Sequence, residues 1–308
     1  MGVPRILIPI AIDNAMFGSS TVAEPAAGET AWVSAGSYTA GDIRIRTGTH
    51  RKYMALTTHS GVTTAPEDDP IRWKDVGATQ RWAMFDPRRT TQTTATTTLT
   101  IVLNPGWFNA LDLFLLSGSE VSVTVKDAPG GTVIFTETRS IVGPFLDEWD
   151  YCFGPWRNTP NQLFTDIPIS ASAELTLTIS GDTGEAVGCG MLCIGDLRPL
   201  IIGDWGGAEY GAAAEPISCS YIKTDDFGDT QIVKRASATN ATLSIVLPQV
   251  SADYALACIQ EVLDIPAAIV GTEISGYSGL NVFGLLSGAV TYAGPNHATI
   301  RAQVKGLF

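Results

Sequence analysis

From residue 90 onward the chain runs in short stretches in which apolar and polar positions alternate, each closed by Gly, Pro, Asn or Asp. Residues 90–103, TTQTTATTTLTIVL, alternate Thr with other residues and carry no helical period. Asn104, Pro105 and Gly106 make a turn, and residues 114–116, 121–125 and 133–138 follow as short strands. Pro129, Gly130 and Gly131 reverse the chain between the last two. In residues 174–180, ELTLTIS, Leu175, Leu177 and Ile179 share one face, and Gly181-Asp182 ends the run. Residues 187–194 are apolar on both faces, as a central strand requires. Turn signals about every eight to twelve residues predict a β-sandwich over residues 81–200.

Three further units flank it. Residues 1–31 hold a β-prone start and then a run of small residues, GSSTVAEPAAGET, and read as an N-terminal arm lying along a neighbour. Residues 32–77 form a small β unit. Ile43 and Ile45 alternate with Arg44 and Arg46, Thr47-Gly48-Thr49 turns the chain, and the return strand puts Tyr53 and Ala55 on one face. Residues 205–308 predict strands at 218–223, 230–235, 242–247, 280–286 and 298–304, with a hairpin turn at Asp225-Asp226-Phe227-Gly228. One helix stands out, residues 251–263. Ser251 is placed to cap it, Asp253 suits its positive start, Ala255, Cys258, Ile259 and Val262 form a stripe, and Pro266 stops it. The expected fold is mainly β with a C-terminal α+β unit: small β module, β-sandwich, then a sheet with one packed helix.

Composition narrows the function. The 308 residues are 45% hydrophobic and 16% charged, enough apolar surface for several cores. The net charge of −12 repels polyphosphate, and the basic groupings Arg44/Arg46/Arg51/Lys52 and Arg88/Arg89 are small, so no nucleic-acid partner is expected. The apolar start ILIPIAI is short, contains Pro9 and meets Asp13, so neither a signal peptide nor membrane insertion is expected. Five scattered Cys (Cys152, Cys189, Cys193, Cys219, Cys258) form no C-x-x-C pair, which fits thiols made in a reducing cytoplasm. With three His and no recognisable nucleophile, phosphate or zinc motif, no metal, no cofactor and no enzymatic activity are expected.

The front unit is rich in rings: Trp32, Tyr38, Tyr53 and Trp73. Aromatic faces bind sugars because pyranose C–H groups are apolar, and these four are the candidate glycan-binding residues. A unit this small also needs large rings for its own core, so at least two of the four are expected inside, with Tyr53 or Trp73 left to face a ligand. Elsewhere, Asp147, Glu148 and Asp150 in DEWD invite a glycosidase reading. Neighbours on a strand point to opposite faces, so a packed corner is the simpler expectation. Glu67-Asp68-Asp69-Pro70 reads as a solvated loop, His50 and His59 as surface residues, and the Gly-rich stretch 203–216 as a linker.

Two resemblances add to this. Trp32, Tyr38, Gly41, Asp42, Ile43, Tyr53 and Trp73 follow the order found in small chitin- or cellulose-type carbohydrate-binding modules, and residues 32–77 resemble one. The phrase VGATQRWAMFD at residues 76–86, the hairpin ending in Asp226-Phe227-Gly228, Val233-Lys234-Arg235, a helix ending Leu263-Asp264-Ile265-Pro266 and the terminal Lys305-Gly306-Leu307 resemble tail-tip or baseplate proteins of tailed bacteriophages and prophages. That resemblance implies a virion structural protein, made in the host cytoplasm and placed in the tail. Its partners would be other copies of itself, other tail proteins and host-surface glycan. The alternative is a glycan-binding or glycan-hydrolysing accessory protein outside any virion.

Overall fold

The computed structural model describes residues 2–88, 91–143, 145, 147–154, 159–203, 205–224, 228–233, 237–274 and 276–307. Arg89, the hairpin turn at Asp225, Asp226 and Phe227, and Lys234 and Arg235 lie outside the described residues.

The fold is mainly β. Its backbone is one ten-stranded antiparallel sheet. From one edge the order is Gln162–Phe164, Ala110–Phe114, Met191–Pro199, Arg5–Pro9, Ala267–Val270, Asn281–Thr291, His297–Gly306, Ser237–Pro248 and Gly207–Ala208, with Ala213–Ser218 also pairing along Ser237–Pro248. A five-stranded sheet, Val133–Ser140, Glu120–Lys126, Glu174–Ser180, Thr98–Leu103 and Phe17–Ser20, packs on one end of it. Alternation builds that contact directly. Leu99, Ile101 and Leu103, Val121, Val123 and Val125, and Leu175, Leu177 and Ile179 all turn inward against Leu111, Leu113, Phe164, Leu192 and Ile194.

The other end of the large sheet carries the helix. A 3₁₀ turn at Gln249–Ser251 runs into the α-helix Ala252–Glu261. The stripe Ala255, Cys258, Ile259 and Val262 is fully buried against Leu243, Ile245, Ile269, Val282, Leu286 and Ile300. Ser251 does not cap the helix. Its hydroxyl donates to the carbonyl of Ile202 at 2.6 Å and accepts from the amide of Ile202 at 3.1 Å, which ties the helix start to the loop after Met191–Pro199.

Several expectations need correction. The first residues are not an arm along a neighbour: Arg5–Pro9 lies mid-sheet, pairing with Met191–Pro199 on one side and Ala267–Val270 on the other. The large sheet therefore runs through the boundary expected near residues 200–205. The single strand expected at 187–194 is two, Ala186–Cys189 and Met191–Pro199, broken at Gly190. The strand expected at 114–116 lies earlier, at Ala110–Phe114, because Leu115 adopts a left-handed φ of 53° that ends it. Residues 148–153 are a short helix, Glu148–Phe153, and Asp147 caps it by accepting from the Asp150 amide at 2.7 Å.

Candidate functional site

The front module contains a three-stranded sheet, Ile43–Arg46, Arg51–Ala55 and Trp73–Ala78, beside the short pair Ser37–Tyr38 and His59–Ser60. The four sequence-predicted rings meet here, mostly inward. Trp73 is 3% exposed, and Tyr38 and Tyr53 are 6% each. Tyr38 meets Trp73 edge to face at 5.0 Å, and the His59 ring stands perpendicular to Trp73 at 5.2 Å. The Tyr38 hydroxyl is consumed internally, donating to the Val33 carbonyl at 2.7 Å and accepting from the Val33 amide at 2.8 Å. Neither Tyr53 nor Trp73 is the outward ring that was expected. The return strand and the closing Trp do lie side by side, with Ala55 opposite Trp73, but on the face that makes the module's core. Trp32 is half-buried at the rim, and the Arg46 guanidinium lies 4.9 Å from its ring centre. Glu67 grips Arg46 with a 2.8 Å contact. The Arg46 hydrogen bond to Glu67 outweighs partial burial and holds the carboxyl below its usual value.

A second cluster joins this module to the rest. His50 sits at the end of the turn with a left-handed φ of 55°, and its ring stacks on Trp82 at 4.1 Å. Nδ1 of His50 is 2.9 Å from Glu24, which also accepts from the Thr79 hydroxyl at 2.7 Å. Beside it Arg51 holds Asp75 at 2.8 and 3.0 Å and reaches Asp86 at 3.4 Å. Burial alone would raise Asp75, but the Arg51 guanidinium and the Gly77 amide outweigh it and keep the carboxyl below its ordinary range. His50, Arg51, Trp82 and Asp86 border an open cleft of about 300 Å³. Glu29 adds a further clasp, accepting from the amides of Ala26 and Gln80 and meeting Lys52 at 3.0 Å. His50 and His59 are therefore not paired surface residues, since each packs on a different Trp and each has its Nε2 buried. The sequence offered no sign of this cluster, because Glu24 lies in a stretch of small residues far from His50. Its chemistry is that of a fastening: buried carboxylates pin residues 24–29 and 78–86 to the module.

Two exposed apolar patches lie elsewhere among the described residues. Apart from the large sheet, Tyr221–Thr224 and Thr230–Val233 pair as a separate two-stranded antiparallel hairpin. Every residue of these two strands is exposed. Ile222 faces Ile232 across one side, and Tyr221 faces Val233 across the other. The helix Glu148–Phe153 is the second exposed patch, with Trp149, Tyr151 and Phe153 all more than half exposed.

Among the described residues no group of three His, Cys, Asp or Glu is placed to hold a metal ion, and no helix is long and apolar enough to cross a membrane.

No family model matches the chain, and no curated protein matches it. Two solved structures do. Chitosan-binding module 1 of a chitosanase/glucanase from Paenibacillus sp. IK-5 aligns over 37% of this chain and 82% of its own, at 13% identity and a TM-score of 0.25. Reduced XRCC1, solved with the catalytic domain of DNA polymerase β, aligns over 53% of this chain and 99% of its own, at 13% identity and a TM-score of 0.24. Likenesses this shallow carry no argument about fold or function.

Proposed function

We propose that this chain is a non-enzymatic structural subunit of a bacteriophage tail tip or baseplate, assembling with other copies of itself and with other tail proteins. The exposed hairpin, an arm formed by Tyr221–Thr224 and Thr230–Val233, is the observation that carries the assembly part. A two-stranded hairpin on its own is marginal in water. One that exposes Tyr221, Ile222, Ile232 and Val233 on both faces needs another surface to cover it. The tail placement rests on the resemblance of residues 76–86 and of the C-terminal segments to tail proteins. Contact with host-surface glycan belongs to the same reading. In the front module Trp32 is the ring left to make it, and Glu148–Phe153 offers three more.

The test substitutes the arm without touching a core. Ile222→Asp with Ile232→Asp should leave the melting temperature of the full chain unchanged and abolish its association and its incorporation into tails. A doubly substituted chain that still associates and incorporates normally overturns the reading. So does an unmodified chain that stays monomeric and cleaves bacterial polysaccharide.

A further inference from the structure

In the hairpin Tyr221–Thr224 and Thr230–Val233, successive side chains point to opposite faces and residues directly opposite share a face. Ile222 and Ile232 therefore share one face with Thr224 and Thr230, and Tyr221 and Val233 share the other with Lys223 and Gln231. A strand pair with one side on a core turns its polar residues to the other side, toward water. This pair does not. Each face has an apolar half at the Tyr221/Val233 end and a polar half at the Thr224/Thr230 end. The two apolar halves are open to a similar degree: Ile222 is 62% and Ile232 60% exposed, against 54% for both Tyr221 and Val233.

The faces differ in charge. On the isoleucine face the hydroxyls of Thr224 and Thr230 stand 3.4 Å apart and can bond to each other, so this face leaves water without stranding a charge. The tyrosine face carries the ammonium of Lys223, two residues from Tyr221. That difference separates the ways in which two copies can meet. Tyrosine face on tyrosine face draws two Lys223 ammonium groups into one contact, which like-charge repulsion opposes. Isoleucine face on isoleucine face meets no charge, but it leaves Tyr221 and Val233 of both copies in water. Isoleucine face on tyrosine face brings one Lys223 to each contact, and its long stem reaches past the uncharged Thr224 and Thr230 to the rim. A hairpin with a neighbour on each side then has no apolar face uncovered.

We infer that the hairpin is a two-sided contact between copies of this chain: the isoleucine face of one copy packs on the tyrosine face of the next, at the sheet-to-sheet spacing of about 10 Å. This rests on the reading that copies of the chain cover the hairpin, and it adds the direction of the contact. The contact is head-to-tail, because the surface each copy offers differs from the surface it receives. One copy added at either end leaves one unfilled face of each kind until the series closes on itself.

Two single substitutions in the full chain test it. Ile222→Asp blocks the isoleucine face and Tyr221→Asp the tyrosine face, and the melting temperature checks that each chain still folds. At concentrations where the unmodified chain associates, light scattering should give 32.6 kDa for either variant alone. Mixed in equal amounts, the two should form a complex of twice 32.6 kDa and no larger, because one unlike pair of intact faces remains between them. Association of Tyr221→Asp as strong as that of the unmodified chain overturns the two-sided contact, since isoleucine faces then pack on their like. A mixture that stays at 32.6 kDa overturns it as well. An unmodified chain that is monomeric at every concentration overturns the underlying reading instead. Should either variant fail to fold, Ile232→Thr and Val233→Thr, which keep a β-branched residue in the strand, take their places with the same outcomes.

Discussion

Replacing Trp73 by Ala separates a ring that folds the front module from a ring that binds. Trp73 is 3% exposed and packs with Tyr38, Tyr53 and Ala55, which together form a whole core cluster of the chain. Removing a buried Trp costs about 3–5 kcal/mol. The edge-to-face contact with Tyr38 adds directionality that a smaller side chain cannot restore. The module has few other apolar groups to collapse into the space, so the cost should sit at the upper end of that range. At about 1.4 kcal/mol per factor of ten, local opening of the module should become roughly a hundred- to a few thousand-fold more frequent. Hydrogen exchange on the full chain reads this directly. Amides of Arg51–Ala55 should speed up by that factor, while those of Glu120–Lys126 in the sandwich stay unchanged. Trp32→Ala should cost far less, since that ring is half-buried and its main partner is Arg46, a contact of about 0.5–1 kcal/mol. Unchanged exchange at Arg51–Ala55 in Trp73→Ala would refute the burial argument and return Trp73 to the ligand surface.

Three further outcomes follow from the packing. Ile259→Asp places an unpaired charge where the helix meets the large sheet and should cost several kcal/mol, seen as a large drop in melting temperature; an unchanged value would mean the helix does not pack there. Ser251→Ala strips both partners from the Ile202 backbone and should destabilise by about 1–3 kcal/mol in denaturant titration, whereas a loss of a few tenths would show that the bridge is not made. A thiol reagent should label exposed Cys152 and Cys219 in the native chain and reach Cys189, Cys193 and Cys258 only after denaturation; rapid native labelling at all five positions would contradict the cores.

Much of the sheet was readable because local periodicity and burial coincide. Leu175, Leu177 and Ile179 alternate with polar residues and are buried as a row, and Ala255, Cys258, Ile259 and Val262 follow the helical period onto a buried face. The misses come where burial is set from far away. Arg5–Pro9 and Ala267–Val270 are too short and too uniformly apolar to show a period, and only their partners in the sheet make them strands. Asp112 breaks the apolar run of Ala110–Phe114, so the sequence shifts that strand toward residues 114–116. In the front module the spacing announced four rings that belong together. Which face they show depends on the Ser37–Tyr38 and His59–Ser60 pair closing over them, and no local pattern encodes that. The hairpin Tyr221–Thr224 and Thr230–Val233 reads as an ordinary strand pair, and the exposure of all its strand residues among the described residues is a tertiary fact.

The central claim is that the exposed hairpin Tyr221–Thr224 and Thr230–Val233 is covered by another chain. Its most direct test is the mass of the unmodified protein by light scattering across a concentration series, with exchange of the Tyr221–Thr224 amides followed in the same samples. The account expects a mass that climbs from 32.6 kDa toward whole multiples, with those amides gaining protection as it does. A constant 32.6 kDa, with the hairpin amides unprotected at every concentration and in the presence of tail proteins, would contradict it.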